Sequence, residues 1–169
     1  MIQLMDNLLV LSRAEADRVP FHPTAIDLPA FCQSIIKTIQ SGLRQPRIIH
    51  FTSELSDPIV YVDEQLMRQI LQNLLSNALK FSPHPTEIDL TLHGDEQMIQ
   101  IQFQDQGIGV PLSDQSRLFD SFHRGTNVGT IAGTGFGLTI VKRAVELHHG
   151  KITVDSGLNQ GSKFTVPLP

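Results

Sequence analysis

Residues 69–81 read QILQNLLSNALKF, and this stretch decides how the rest of the chain is read. With Leu66 just upstream, Ile70, Leu74, Ala78 and Phe81 recur at three- and four-residue spacing, the signature of one buried helical face. Asp63 is placed to cap the helix, and Ser82-Pro83-His84-Pro85 stops it. Asn73, Asn77 and Lys80, spaced by four and three, share a second face of the same helix. Two carboxamides and an ammonium beside core positions are costly to bury without partners. Asn oxygens suit Mg²⁺ that keeps phosphates and waters in its octahedral shell. Taken alone, the triplet reads more simply as a partly solvated helix face.

Downstream, residues 88–92 and 99–103 alternate apolar and polar, with Ile88, Leu90 and Leu92 in one and Ile99, Ile101 and Phe103 in the other. His93-Gly94-Asp95-Glu96 joins them, which predicts an antiparallel hairpin. Seven glycines fall between positions 104 and 137, in a long irregular stretch interrupted by a short helix expected at 113–122. A loop of that length in a compact domain is usually functional. A helix is predicted over 138–149, stopped by Gly150, and 151–155 with 163–167 form a closing hairpin. Upstream, an extended piece at 24–26 leads to Asp27 as N-cap, Pro29 in the first turn, and a helix burying Ala30, Phe31, Ile35, Ile36 and Ile39 until Gly42. Two β-rich pieces follow, 48–52 and 59–62, connected through Ser56-Asp57-Pro58. Residues 1–18 carry a helical stripe of Met1, Leu4, Met5, Leu8 and Leu11. The prolines of Val19-Pro20-Phe21-His22-Pro23 break it, so a boundary is placed there.

The whole chain has 169 residues, 40% hydrophobic and 18% charged, enough for one globular domain with an appendage. One cysteine, Cys32, excludes an internal disulfide framework and a cysteine-rich metal site. Thirteen Lys and Arg against seventeen Asp and Glu give a net charge of −4, with no basic run to track phosphates, so nucleic acid is not expected as a partner. No apolar run approaches the roughly 18 residues a membrane span needs, and a soluble, cytoplasmic segment is expected.

Two further motifs carry chemistry. Asp105-Gln106-Gly107-Ile108-Gly109 lies where a predicted strand ends. A carboxylate there can accept an exocyclic amine, and the glycines let backbone approach a flat base; the same pattern also describes an ordinary turn. Gly133-Thr134-Gly135-Phe136-Gly137-Leu138 opens a helix with alternate glycines, which leaves free N–H groups to cradle an anion. Such a turn can equally be a packing device.

The order and spacing of these pieces resemble the ATP-binding catalytic domains of two-component sensor histidine kinases, in the wider group that includes gyrase and the Hsp90 chaperones. Residues 69–81 are similar to the N box, Asp105 to Gly109 to the first glycine box, Leu118-Phe119-Asp120-Ser121-Phe122 to the F box and Gly133 to Leu138 to the second glycine box. Gly161-Ser162-Lys163-Phe164 resembles the closing glycine element. Asp6 to Arg13 resembles the end of the second helix of the dimerisation and phosphoacceptor module. The resemblance implies two domains, 1–19 as that helix end and 20–169 as the catalytic domain. It implies a two-layer α/β sandwich, with a mixed, mostly antiparallel sheet and three main helices on one face.

By the same resemblance the ligands are ATP and Mg²⁺. Asn77 would hold the metal, with Asn73 assisting the phosphates or the ion, Lys80 facing a phosphate and Phe81 stacking near the base or ribose. Asp105 would read the adenine amine, with Gly107 and Gly109 giving room. Gly133, Thr134, Gly135, Gly137 and Leu138 would cradle phosphate. Residues 125–132 would be a mobile lid, with Arg124 at its start reaching the γ-phosphate; Asn73, Lys80 and Arg124 are thus the catalytic candidates. Phe119 and Phe122 read first as core aromatics. His123 stands where Tyr is usual and Phe136 where Leu is common. His148-His149 would complement the helix dipole or cap carbonyls.

In hydrolysing relatives a Glu that activates water occupies the position of Asn73, and an amide cannot act as a base. None of His22, His50, His84, His93, His123, His148 and His149 has an acidic neighbour followed by Thr-Pro or Ser-Pro, as a phosphoacceptor should. The implied function is therefore γ-phosphoryl donation to a histidine on a separate module, with a homodimeric parent kinase, a response regulator downstream, and this segment itself monomeric. The alternatives are a serine kinase of the anti-sigma type and a non-catalytic module of the same fold.

Overall fold

The computed structural model of the chain describes residues 19–169; the helix expected over residues 1–18, and its likeness to a dimerisation helix, lie outside the described residues. Strand β1 (Thr24–Asp27) leads directly into helix α1 (Leu28–Ser41). Asp27 caps that helix by accepting the Ala30 N–H at 2.9 Å, and Pro29 sits in the first turn where its missing N–H costs nothing. The helix buries Leu28, Cys32, Ile35 and Ile36. Burial pushes the Cys32 thiol up to about 12, which makes it a packing residue and not a nucleophile.

Strands β2 (Ile49–Leu55) and β3 (Ile59–Val62) are consecutive but enter different sheets. The Asp57 carboxylate accepts the Ile59 N–H at 2.8 Å, and the Pro58 carbonyl accepts from Leu28 at 3.0 Å. That turn redirects the chain, so β3 pairs antiparallel with β1, Thr24 opposite Val62, while β2 lies parallel to β4 (Ile88–Gly94). Helix α2 (Glu64–Phe81) intervenes, capped by Asp63 as anticipated, with its Oδ1 accepting from Leu66 at 3.1 Å.

The hairpin read from residues 88–103 is present: β4 and β5 (Ile99–Asp105) pair antiparallel from Ile88 opposite Asp105 to Gly94 opposite Ile99. Asp95 Oδ1 accepts both the Gln97 and Met98 N–H groups and so closes the turn. The helix expected at 113–122 is shorter than read. Only α3 (Leu112–Gln115) is helical, and residues beyond it continue as i-to-i+3 turns, Arg117 to Asp114 and Asp120 to Arg117. Phe122, at φ +63°, then turns the backbone away. Helix α4 (Gly137–Leu147) precedes the last hairpin, β6 (Thr153–Ser156) with β7 (Ser162–Leu168).

The main sheet runs β2-β4-β5-β7-β6, antiparallel except between β2 and β4. Inward residues of the three central strands, among them Leu90, Ile101, Phe103 and Val166, join one apolar cluster with the buried faces of α1, α2 and α4. The alternate residues of β5, Gln100, Gln102 and Gln104, are not buried, as a one-sided antiparallel sheet requires. The architecture is the expected two-layer α/β sandwich. Val19 and Phe21 pack against the same core.

Candidate functional site

The cavity of interest lies where the polar face of α2, the end of β5 and the start of α4 converge, and it encloses about 360 Å³, within the range of small-molecule sites. Helical periodicity turns Asn73, Asn77 and Lys80 toward it together, and Phe81 closes the same wall. Asn73 Nδ2 donates to the Gln69 carbonyl at 2.8 Å. Its Oδ1 is thereby set against Gly137, where a Cβ would sit 3.0 Å away. The Lys80 ammonium stands 5.0 Å from the Phe81 ring centroid. Partial burial pushes its pKa down, and the Arg124 guanidinium nearby adds to this. Two cations held in one wall favour an anionic ligand.

Asp105, 8% exposed at the end of β5, accepts the Gly107 N–H at 2.8 Å through Oδ1. Burial raises its pKa, while the backbone N–H groups of Gly107 and Ser162 work against that rise. A carboxylate so held presents acceptor oxygen to the cavity. Gly107 itself does not line the cavity, contrary to the reading that it gives room to a base. It sits behind Asp105, where a Cβ would meet the Phe81 carbonyl at 2.5 Å and Asp105 Oδ1 at 2.8 Å, so its part is to aim the carboxylate. Gly109 does line the cavity; it has φ +69°, and a Cβ there would fall 1.8 Å from the Gly157 carbonyl.

The remaining sequence-read residues, Arg124, Gly133, Thr134, Gly135, Gly137 and Leu138, are also in the wall. No side chain caps α4. Its first residues, Gly137 and Leu138, line the cavity, so backbone donors and the positive end of the helix dipole are available there to an anion. Among the described residues no group of three or more His, Cys, Asp or Glu could hold a metal unaided. The donor set, one carboxamide oxygen beside a phosphate-type cradle, fits an ion that takes most of its ligands from phosphates and water, as Mg²⁺ does.

Sequence reasoning missed several residues here. Asn127 lines the cavity and donates from Nδ2 to the Gly109 carbonyl at 2.9 Å. Asp114, buried at 5% exposure outside the cavity, accepts both the N–H and the hydroxyl of Thr126 at 2.7 and 2.8 Å. Arg124 donates to the Ile131 carbonyl. The segment 125–132 is thus tied at its near end. At Gly129 a Cβ would meet nothing within 4 Å, and beyond it Ile131 bonds back to Val128 and Arg124. No local pattern announced these bonds, since their partners lie 7 to 18 residues away. Phe119 packs against the core as read, whereas Phe122 is 70% exposed and stacks edge-on against Phe136 at 4.3 Å. His148 does cap a carbonyl, that of Ala144, at 2.7 Å through Nδ1.

An α/β sandwich with an anion cradle, two adjacent cations and a buried acceptor carboxylate in one cavity has the make-up of a nucleotide-binding domain. Residues 62–169 match the family of histidine kinase-, DNA gyrase B-, and HSP90-like ATPases, and the chain belongs to that family. It is 33% identical over 170 residues to the adaptive-response sensory kinase SasA of Thermosynechococcus vestitus, covering 99% of this chain and 44% of that protein. It is 35% identical over 175 residues to the circadian input-output histidine kinase CikA of the same organism, covering all of this chain and 24% of the relative. The chain therefore spans less than half the length of these relatives. Full-length ShkA, solved in complex with AMPPNP, shares the fold with a TM-score of 0.79 at 24% identity, over 99% of this chain and 35% of that one.

Proposed function

We propose that the chain is the catalytic end of a two-component sensor histidine kinase, which binds Mg-ATP and donates the γ-phosphoryl group to a histidine on a phosphoacceptor module. The observation that carries this reading is the convergence, in one cavity, of Asn73, Asn77 and Lys80 with Asp105 and the uncapped start of α4. Asn77 would hold Mg²⁺, and Asn73 and Lys80 would bear on the phosphate chain. Asp105 accepts the adenine amine and Phe81 packs near the base or ribose. Gly133, Thr134, Gly135, Gly137 and Leu138 cradle phosphate with backbone N–H groups, and Arg124 reaches the γ-phosphate when it leaves the Ile131 carbonyl. Bound Mg²⁺ would neutralise phosphate charge. The chain's own residues position the γ-phosphoryl group and stabilise charge at its oxygens, which is most of what phosphoryl transfer asks of a protein.

Asn73 offers an amide where a base would be needed to activate water, so transfer to a histidine outcompetes hydrolysis. Residues 1–19 are proposed as the end of the dimerisation helix and 20–169 as the catalytic domain, monomeric by itself, from a homodimeric parent that signals to a response regulator. A cytoplasmic site fits a protein that draws on ATP; among the described residues no helix is long and apolar enough to cross a membrane. The test is incubation with γ-labelled ATP, with and without a separate phosphoacceptor module. Label should appear on the module, be lost in acid and survive alkali. Acid-stable label on this chain alone would replace this reading with the serine-kinase one.

A further inference from the structure

We propose that Asp114 is a positioning residue that tethers the near end of the cavity lid through Thr126 and thereby sets Arg124 and Asn127 in the cavity wall. Asp114 sits on α3 and does not line the cavity. It takes two hydrogen bonds on one oxygen: Oδ2 accepts the Thr126 N–H at 2.7 Å and the Thr126 hydroxyl at 2.8 Å. A carboxylate with so little exposure is costly to bury unless its charge is met by donors. Thr126, itself exposed, supplies them. These two bonds are the foremost reason the Asp114 carboxyl titrates below the usual carboxylate range, with His123 and Arg117 as lesser contributors.

The consequence is geometric. Arg124 lies two residues before Thr126 and Asn127 one after, and both line the cavity. Asn127 adds a second tie, to the Gly109 carbonyl at 2.9 Å. The Val128 N–H donates to Gly125, which closes the turn between them. The lid is thus tied to the body at Thr126 and Asn127, while the bonds of Ile131 run back to Val128 and Arg124 within the same segment. His123 Nε2, 3.9 Å from Asp114 Oδ1 and without a hydrogen bond, faces the carboxylate from its other side. A ligand then meets Asn127 already in place, with Arg124 beside it on the Ile131 carbonyl and needing only to turn from there.

This inference rests on the nucleotide reading of the cavity, and the experiment separates the two. Hydrogen exchange at 125–128 without ligand, and Mg-ATP calorimetry, are measured on the chain as it stands and on Thr126→Val, Thr126→Ser and Asp114→Asn. Thr126→Val removes the hydroxyl bond and should speed exchange at 125–128 by about tenfold or more, the effect of one bond to a charged acceptor. It should weaken Mg-ATP binding by a similar factor, with a cooperative unfolding transition retained at a slightly lower melting temperature. Thr126→Ser keeps both bonds and should match the original chain. Asp114→Asn should resemble Thr126→Val; if it fails to fold, the two Thr126 variants decide. Unchanged exchange in Thr126→Val, exchange in Thr126→Ser as fast as in Thr126→Val, or faster exchange with unaltered Mg-ATP affinity would each overturn the positioning role. An original chain that does not bind Mg-ATP defeats the nucleotide reading, while the exchange comparison still decides the tether.

Discussion

The backbone N–H of Asp63 donates to Nε2 of His148, 85 residues downstream, at 3.0 Å. The other ring nitrogen, Nδ1, lies 2.7 Å from the Ala144 carbonyl, which only accepts, so Nδ1 carries the proton and Nε2 is the acceptor. One neutral tautomer therefore links the N-cap of α2 to the end of α4. Asp63 also accepts the His22 N–H through Oδ2 at 2.9 Å, and the Phe21 ring stands edge-on to His148 at 5.0 Å. The segment entering the domain is joined to the same node.

That node predicts a pH dependence of stability. Burial lowers the His148 pKa from its ordinary value near 6.5, the Ala144 bond and the Asp63 charge oppose the shift, and His149 adds to it. The unfolded chain then binds more protons than the folded one in this window, so stability is full above about 6.5 and falls as pH drops toward the folded value. Melting temperature measured from pH 7.5 to 5 should decline in the original chain, and less in His148→Gln. Parallel profiles would remove His148 as the cause.

Asn77→Ala removes the carboxamide oxygen assigned to Mg²⁺ and leaves ion and phosphates one ligand short. Calorimetry should show Mg-ATP affinity reduced by about tenfold or more, the scale of a lost bond to a charged group. The buried neighbours Leu74 and Ala78 are untouched, so melting temperature should hold. Unaltered affinity would sink the role assigned to Asn77.

Asp105 predicts discrimination between bases. Against GTP the carboxylate would face a carbonyl, two acceptors without a proton between them, which costs the desolvation of both. ATP should displace a fluorescent ATP analogue at concentrations well over tenfold below those GTP requires. Equal competition would place the adenine elsewhere.

Gly109→Ala tests the corner that carries the cavity floor. The added methyl would fall 1.8 Å from the Gly157 carbonyl at a φ of +69°. Backbone must shift, and a loss of about 1–3 kcal/mol is expected. Urea denaturation followed by circular dichroism measures it. A midpoint equal to that of the original chain would mean the corner yields without cost.

The helices and hairpins were legible because their signals are local. Apolar spacing around Ile70 and Leu74, the caps at Asp27 and Asp63, and the alternation through Ile101 and Phe103 act within a few residues, where chain connectivity already holds the partners close. The cavity residues of α2 were legible for the same reason, since 3.6-residue periodicity alone puts Asn73, Asn77 and Lys80 on one face. The helix read at 113–122 overran its true end at Gln115 because nothing local forbids helix there. In its place stand i-to-i+3 turns and a left-handed Phe122, whose ring meets Phe136, 14 residues on.

The sequence by itself determined the long helices and the hairpins, the caps at Asp27 and Asp63, the class of the fold and much of the cavity wall. Only the tertiary structure decided that β2 and β3 part into different sheets, that Gly107 aims Asp105 instead of lining the cavity, that Asp114 holds Thr126, and that His148 joins Asp63. Each of these depends on pairing across the fold. The energy of a hydrogen bond between distant groups is gained only after the topology has already brought them together.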